Sequence, residues 1–221
     1  MVKRGAWSVT AETSTYQKRN VVICWIVIVY QSSWCFTRLI TIIDVCIVSL
    51  SAAEAVYIGV HIRRTDMVHD PKYTVADVRY FRRAVHFMAR NFLKSQLVFV
   101  VCSDDIHWSK QKFPNAVLQT IEDGQIIVAG NDGNGDAKTA KGNVTARRTV
   151  IVFSEDQVPE VDLAILSSCN HTIMTVGTYG WWGAYLAGGL TTYLRNFPAK
   201  NGELYSGFSR QDHFLPEWVG L

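Results

Sequence analysis

No pair of cysteines in this chain is spaced for a metal or a redox motif. Cys24, Cys35, Cys46, Cys102 and Cys169 include no C-x-x-C, and an odd count in 221 residues does not read as a disulfide framework. Charge of one sign is scarce too. The net charge is +3, and Lys3, Arg4, Lys18 and Arg19 against Glu12 already supply a balance of +3 within the first twenty residues. The remainder is close to neutral, which excludes a nucleic-acid partner. There is no Walker loop, no G-x-G-x-x-G and no internal repeat. Nor is there an unbroken apolar run of the roughly 20 residues that a membrane-spanning helix requires. The run VVICWIVIVY (21–30) is half that length. Extending it to residue 50 brings in Arg38 and Asp44, each costing about 2.5–3.5 kcal/mol at mid-bilayer.

What the chain does have is material for a core. Hydrophobic residues make up 48% and charged residues 19%, with seven Trp, nine Tyr and ten Phe, which describes a folded protein. Residues 1–55 stand apart as an apolar segment with three readings. The basic flank favours a signal-anchor with its N-terminus inside. The β-branched content equally suits a pair of buried strands or helices. A non-native N-terminus, such as a wrongly joined reading frame, is the third.

From Ala55 the pattern changes to alternating strands and helices. AVYIGVHI (55–62) reads as a buried strand running into His61, Arg63, Arg64 and Asp66. Thr74 with Asp77 three residues on is a helix start of the capping-box type. Val78, Phe81, Val85, Met88 and Phe92 then mark one face of an amphipathic helix. Arg79, Arg82, Arg83 and Arg90 fall on its other flanks, where a solvated face is the simplest reading. LVFVV (97–101) reads as a second strand, followed by a short helix over 106–113, a strand near 116–120, and a Gly/Asn/Lys-rich surface loop over 130–148. Then come a strand at 149–153, a helix at 162–168, a strand at 171–176, and a helix at 179–187 packed through Trp181, Trp182, Tyr185 and Leu186. This alternation predicts an α/β fold: a Rossmann-like, doubly wound parallel sheet over 56–221.

In such sheets ligands bind beyond the carboxyl ends of the strands. The first strand delivers His61, Arg63 and Arg64 to that edge, and paired guanidinium groups suit a phosphate-bearing ligand. Pairing of the same arginines with Asp66 or Asp104 is the competing structural reading. The segment Val176-Gly177-Thr178-Tyr179-Gly180 lies where a strand gives way to a helix, so backbone N–H groups there can face an anion, with Gly177 allowing close approach and Thr178 a hydroxyl; an ordinary tight turn is the alternative. Ser103, Asp104 and Asp105 lack a third metal ligand at useful spacing and read better as a helix N-cap. No metal site is expected. The sequons Asn143-Val-Thr145 and Asn170-His-Thr172 are permissive for a secretory route, with Asn170 expected to be poorly glycosylated beside a buried strand.

Several of these segments match a known pattern in order. GVHIRRTD (59–66) resembles the H-x-R-R-x-D motif shared by α-1,2-, α-1,6- and protein O-fucosyltransferases. SSCNHTIMTVGTYGWWGAYLAGGLTTYLRNF (167–197) and FLPEWVG (214–220) resemble the C-terminal signature of the α-1,2-fucosyltransferases, glycosyltransferase family 11, and VFVVCSDDIHW (98–108) fits as well. The resemblance implies the C-terminal donor lobe of a GT-B-type enzyme that transfers fucose from GDP-β-L-fucose to the 2-hydroxyl of a terminal galactoside. It implies inversion, no cofactor, and a type II Golgi membrane protein with a lumenal catalytic domain. It assigns Arg63 and Arg64 to the departing diphosphate and His61 to a position beside the nucleotide. By comparison with the α-1,6 relatives, Asp162 receives the guanine N–H groups and Thr178, next to Gly177, meets a phosphate oxygen. A general base is not identified; Asp66, Asp104 and Asp105 qualify by charge alone.

Sixty residues precede His61, and none resembles the Gly-rich segment near the start of the relatives' acceptor lobe. The expectation is therefore a donor lobe whose acceptor lobe is missing or reduced. A non-catalytic GDP-sugar-binding protein and a protein O-fucosyltransferase are the alternatives.

Overall fold

A parallel strand covered on both faces should be apolar throughout, and AVYIGVHI carries no charged residue. In the computed structural model, which describes residues 55–93, 95–122, 127–128, 148–154, 158–200 and 202–221, this segment forms β1 (Ala55–Ile62). It pairs in parallel with β2 (Gln96–Ser103) on one side and β5 (His171–Met174) on the other. Outside β2 lie β4 (Arg148–Phe153) and β3 (Ile127–Val128); outside β5 lie β6 (Thr191–Tyr193) and β7 (Val219–Gly220). The order is β3-β4-β2-β1-β5-β6-β7, with every pairing parallel. The chain builds the β2, β3 and β4 half first, with β4 inserted between β2 and the edge strand β3, then returns to the centre and builds β5, β6 and β7 outward. That is the expected doubly wound α/β sheet, and its switch point lies between β1 and β5.

Side chains alternate across each strand, and the two faces meet different helices. Ile58, Val60 and Ile62 of β1, with Leu97, Phe99 and Val101 of β2, share a core with Tyr80, Phe81, Val85 and Met88 of α1 (Val78–Asn91). Phe113, Ala116 and Val117 of α2 (Ile106–Glu122) join the same core. On the opposite face, Val98, Val100 and Cys102 pack on Ile165 and Leu166 of α3 (Pro159–Ser168). Each fully buried large side chain contributes about 1.5–3 kcal/mol. A further helix, α4 (Thr178–Ala187), follows β5, and a 3-10 turn (Glu203–Tyr205) and α5 (Arg210–His213) precede β7.

Three sequence expectations are corrected. The first helix begins at Val78, not near Thr74. Its N-cap is Asp77, whose carboxylate accepts the Tyr80 N–H at 2.9 Å. The strand expected near 116–120 is helix, because α2 continues past Pro114 to Glu122. Phe113, Ala116 and Val117 are completely buried, and their spacing keeps all three on the sheet only if the chain stays helical. The proline removes one N–H from the ladder, and the Asn115 side chain donates to the Gln111 carbonyl at 2.9 Å. Finally, of Trp181, Trp182 and Tyr185 on α4 only Trp181 packs inward, against Trp218 and with its Nε1 donating to the His213 carbonyl at 2.7 Å. Gly180, Gly183, Ala184 and Ala187 form its buried face, while Trp182 and Tyr185 are 52% and 44% exposed. Small residues let this helix approach α3 so closely that a Cβ on Gly183 would lie 3.1 Å from the Leu166 Cβ.

Residues 21–50, the Asn143 sequon and nearly all of the 130–148 loop lie outside the described residues. Among the described residues no helix is long and apolar enough to cross a membrane. Cys102 and Cys169 are both buried free thiols. Asn170 is tied to the sheet, its Oδ1 accepting the Tyr57 N–H at 2.9 Å and its own N–H donating to the Tyr57 carbonyl at 2.8 Å.

Candidate functional site

β1 and β5 end side by side at the switch point, and each hands over to one of the segments singled out from the sequence. The Arg63 N–H donates to the Thr175 hydroxyl at 3.0 Å, and the Thr175 N–H donates to the His61 carbonyl at 3.2 Å. These bonds lock the two strand ends together past the last ladder pair. Between them opens a cleft of about 470 Å³. His61 and Arg63 line it from β1, Ser103 and Asp104 from β2, Asp162 from α3, and Gly177, Thr178 and Tyr179 from the start of α4. Five of the six predicted site residues are thus brought together: His61, Arg63, Asp162, Gly177 and Thr178.

Arg64 is the sixth, and it is not among the residues lining the cleft. Its guanidinium carbon lies 3.8 Å from the centre of the Trp108 ring, and its Nε is 3.6 Å from an Asp105 oxygen. A guanidinium over an indole face is a favourable cation–π contact, and it turns this arginine toward α2. Arg63 faces the cleft but is not idle there. Its Nη1 donates to Asp104 at 2.8 Å and its Nη2 to Asp66 at 2.7 Å. The second pair is on the open side, with Asp66 60% exposed, and an exposed ion pair contributes only about 0–1 kcal/mol.

The Ser103-Asp104-Asp105 cluster divides its work. Asp105 is the N-cap that the sequence suggested: its Oδ1 accepts the Trp108 N–H at 3.1 Å. Asp104 instead binds the arginine loop. One oxygen accepts the Arg64 N–H at 2.9 Å; the other accepts the Thr65 N–H at 3.2 Å and the Thr65 hydroxyl at 2.6 Å, as well as Arg63. Among the described residues no group of three or more His, Cys, Asp or Glu is placed to hold a metal ion.

The opposite wall is made of backbone. Gly177 has φ of +91°, a conformation that side-chain-bearing residues rarely adopt. No side chain caps α4, so its first-turn N–H groups are left for an outside acceptor, at the positive end of the helix. His61 sits beneath this turn. A Cβ on Gly180 would fall 2.2 Å from the His61 Nδ1, so only glycine fits there. The histidine is 5% exposed, its Nδ1 has no hydrogen-bond partner, and its ring centre is 5.3 Å from that of Tyr179. Burial lowers its pKa to about 4, aided by Arg63 and opposed by Asp104. The imidazole is therefore neutral near pH 7.

Asp162 lies in the first turn of α3, where the helix dipole favours a carboxylate. It is 6% exposed, and its Oδ1 accepts the Ser154 hydroxyl at 2.5 Å. The Tyr179 hydroxyl donates to the Pro159 carbonyl, linking α4 to α3 across the cleft. Burial, with Asp162 nearby, pushes that phenol well above its usual pKa. The sequence marks residues 176–180 as a candidate anion-binding turn, but assigns Tyr179 and Gly180 no role of their own; the structure gives them the wall beside and above His61. The cleft combines one cation, a helix N-terminus and one recessed carboxylate, a set that suits an anion attached to a group bearing N–H donors.

A family model described as Glycosyl transferase family 11 matches residues 38–134 and 127–221. Among relatives, the chain is 35% identical over 169 residues to Galactoside alpha-(1,2)-fucosyltransferase 2 of Bos taurus, covering 75% of this chain and 40% of that protein. It is 37% identical over 170 residues to Galactoside alpha-(1,2)-fucosyltransferase 1 of Homo sapiens, covering 75% and 38%. It is equally similar, 37% over 170 residues, to Galactoside 2-alpha-L-fucosyltransferase Sec1 of Mus musculus, covering 75% and 38%. The matched region spans about 40% of the length of these relatives.

Proposed function

The chain belongs to glycosyl transferase family 11, and from that premise we propose that it is the donor-binding half of a galactoside α-1,2-fucosyltransferase. The observation that carries this reading is the meeting of Arg63, Asp162 and the first turn of α4 in one cleft at the switch point. In this reading the donor is GDP-β-L-fucose, and the domain is the C-terminal lobe of a GT-B-type enzyme. Asp162 accepts the guanine N–H groups from its recessed position. The N–H groups of α4 and the Thr178 hydroxyl receive phosphate oxygens. Arg63 keeps its bond to Asp104, which is fixed by the loop backbone, and exchanges the exposed Asp66 for the diphosphate. Neutral His61 fills the space beneath and adds no charge of its own.

The acceptor's 2-hydroxyl oxygen forms a bond to fucose C1 from the face opposite the diphosphate, while the C1–O bond to the β-phosphate breaks. The anomeric centre inverts, the electron pair of the broken bond stays on the diphosphate, and the hydroxyl proton passes to solvent water. Negative charge thus grows on GDP as the bond breaks. A fixed guanidinium and oriented N–H groups stabilise it more in the transition state than before, which is how binding becomes rate. Those groups supply the charge stabilisation without a required metal. Asp104 and Asp105 do not suit the general base, since their oxygens are spent on backbone N–H groups and arginine. Arg64 acts at one remove, holding the loop against Trp108. This reading also makes residues 21–50 the anchor of a type II Golgi protein.

Two measurements test it. Calorimetry with GDP should give binding that Arg63→Ala weakens. Transfer of radiolabelled fucose to a β-galactoside should be detectable. GDP binding unchanged by Arg63→Ala refutes the diphosphate role; GDP binding with no transfer leaves a nucleotide-sugar-binding protein.

A further inference from the structure

Away from the cleft, the outer face of α1 carries Arg79, Arg82, Arg83, His86 and Arg90, all lining one groove of about 470 Å³ with Phe87 and Leu221. Spacings of 4, 3 and 4 put Arg79, Arg83, His86 and Arg90 in a single row with Arg82 on its flank, about 16 Å from end to end at 1.5 Å per residue. The four arginines are exposed. Arg79 is held by Asp77 at 2.7 Å; Arg82, Arg83 and Arg90 form no ion pair among the described residues. A solvated helix face usually intersperses acidic residues at three- and four-residue spacing. Here α1 contains no acidic residue at all, so like charges repel along its whole length. That arrangement costs stability unless something outside neutralises it.

We infer that this groove binds a linear sulfated glycan chain. The row follows the helix axis, with Arg82 widening it by one side chain, and this narrow stripe matches a chain-like polyanion. Arginine, not lysine, occupies every fully charged position, and the guanidinium fork matches a tetrahedral oxyanion two bonds at a time. The half-buried Phe87 ring and Leu221 line the groove with apolar surface, which suits the C–H faces of sugar rings. A membrane surface fits less well, because the apolar face of α1 is buried in the core and offers lipid nothing to insert. The inference does not depend on fucose transfer, since none of these residues lines the cleft.

The probe is a heparin octasaccharide, titrated into the full chain at 150 mM NaCl and at higher salt. Arg82→Ala/Arg90→Ala should weaken binding about tenfold or more and flatten the dependence of log affinity on log salt by about one to two. Lys112→Ala/Lys200→Ala removes the same charge from elsewhere and should change affinity less than twofold. The chemically desulfated octasaccharide should not bind. Equal losses in the two double variants, or retained binding of the desulfated probe, overturn the proposal. So does tighter binding to phosphatidylserine vesicles than to the octasaccharide. Should the groove double variant not fold, the single variant Arg83→Gln is read against Lys112→Gln by the same criteria.

Discussion

The two walls of the cleft are built by opposite means. On the β1–β2 side the structure is held by charge: Asp104 gathers two N–H groups, a hydroxyl and a guanidinium, and Asp66 and Asp105 flank the two arginines. On the β5–α4 side there is almost no charge. A left-handed glycine turns the chain, an uncapped helix presents its N–H groups, and a second glycine admits a buried histidine. Charged contacts near solvent respond in small steps when one partner is lost. A close-packed steric contact has no small step available. Substitutions on the first wall should therefore change what binds, and those on the second should change whether the wall exists.

The largest expected effect is at Gly180. A methyl group there would sit 2.2 Å from the buried His61 ring, far inside contact distance. Gly180→Ala should destabilise the fold by about 3 kcal/mol, at the upper end of overpacking costs, and lower Tm by roughly 6–12 °C for a domain of this size. Shortening the partner should relieve it: Gly180→Ala with His61→Ala should be more stable than the sum of the two single losses. Additive losses in denaturant titrations would show that the two residues do not meet as described.

The same contact predicts a pH dependence with a definite sign. His61 takes up a proton only near pH 4 in the folded chain, against about 6.5 when unfolded. Between these values the unfolded state binds more protons, so stability rises with pH through that window and is lost as pH falls. The shift corresponds to a loss of roughly 3 kcal/mol, on the order of 1.4 kcal/mol per pH unit, complete below about pH 4. Above pH 6.5 this group contributes no slope. Carboxylates also titrate below pH 5, so the informative quantity is the difference between the wild type and His61→Asn in urea unfolding at several pH values. A wild-type profile that matches the variant from pH 7 to 4 counts against a buried neutral imidazole.

Next come the two arginines, which the sequence presents as an equal pair. Arg63→Ala should raise the Kd for GDP about a hundredfold, or ~2.7 kcal/mol, with Tm nearly unchanged because Asp104 retains its backbone donors. Arg64→Ala should do the reverse. Losing the Trp108 contact costs about 1 kcal/mol, visible as a Tm drop of about 2–4 °C, while GDP affinity changes severalfold at most. Thermal melts and calorimetry on both variants decide it, and similar GDP losses in both would erase the distinction between a ligand-facing and a positioning arginine.

How far the sequence reaches depends on which physical signal a feature leaves. The sheet was legible because buried parallel strands are apolar without interruption, as in AVYIGVHI and LVFVV. The H-x-R-R-x-D and GTYGWW segments were legible because motif order survives without any knowledge of packing. What was hidden is direction. Nothing in the string distinguishes Arg63 from Arg64, since a strand end leaves both facing choices open until Trp108 and Asp104 take their places. Pro114 invited an early helix end, yet the burial of Phe113, Ala116 and Val117 outweighs one lost N–H. Local capping chemistry misplaced the first helix start by one turn, because Thr74 and Asp77 are both acceptable N-caps and only tertiary packing selects between them.

The α4 helix offers the smallest and most diagnostic test of the glycine-built wall. Trp182 and Tyr185 drew the sequence reading to an exposed face, since size usually signals burial; Trp181, read with them, alone of the three packs inward. In the structure Trp182 is 52% exposed, whereas Ala184, two residues on, is 1% exposed. If the wall's stability resides in close approach, removing the largest side chain on the helix should matter less than adding to one of the smallest. Trp182→Ala should cost about 0.5 kcal/mol or less, as expected for a surface position. Ala184→Leu should cost about 1–3 kcal/mol by overfilling the space between helix and sheet. Urea unfolding of the two variants compares them directly. A larger loss for Trp182→Ala would mean that the aromatic face, not the small one, holds α4 in place, and the contrast between the two walls would fail with it.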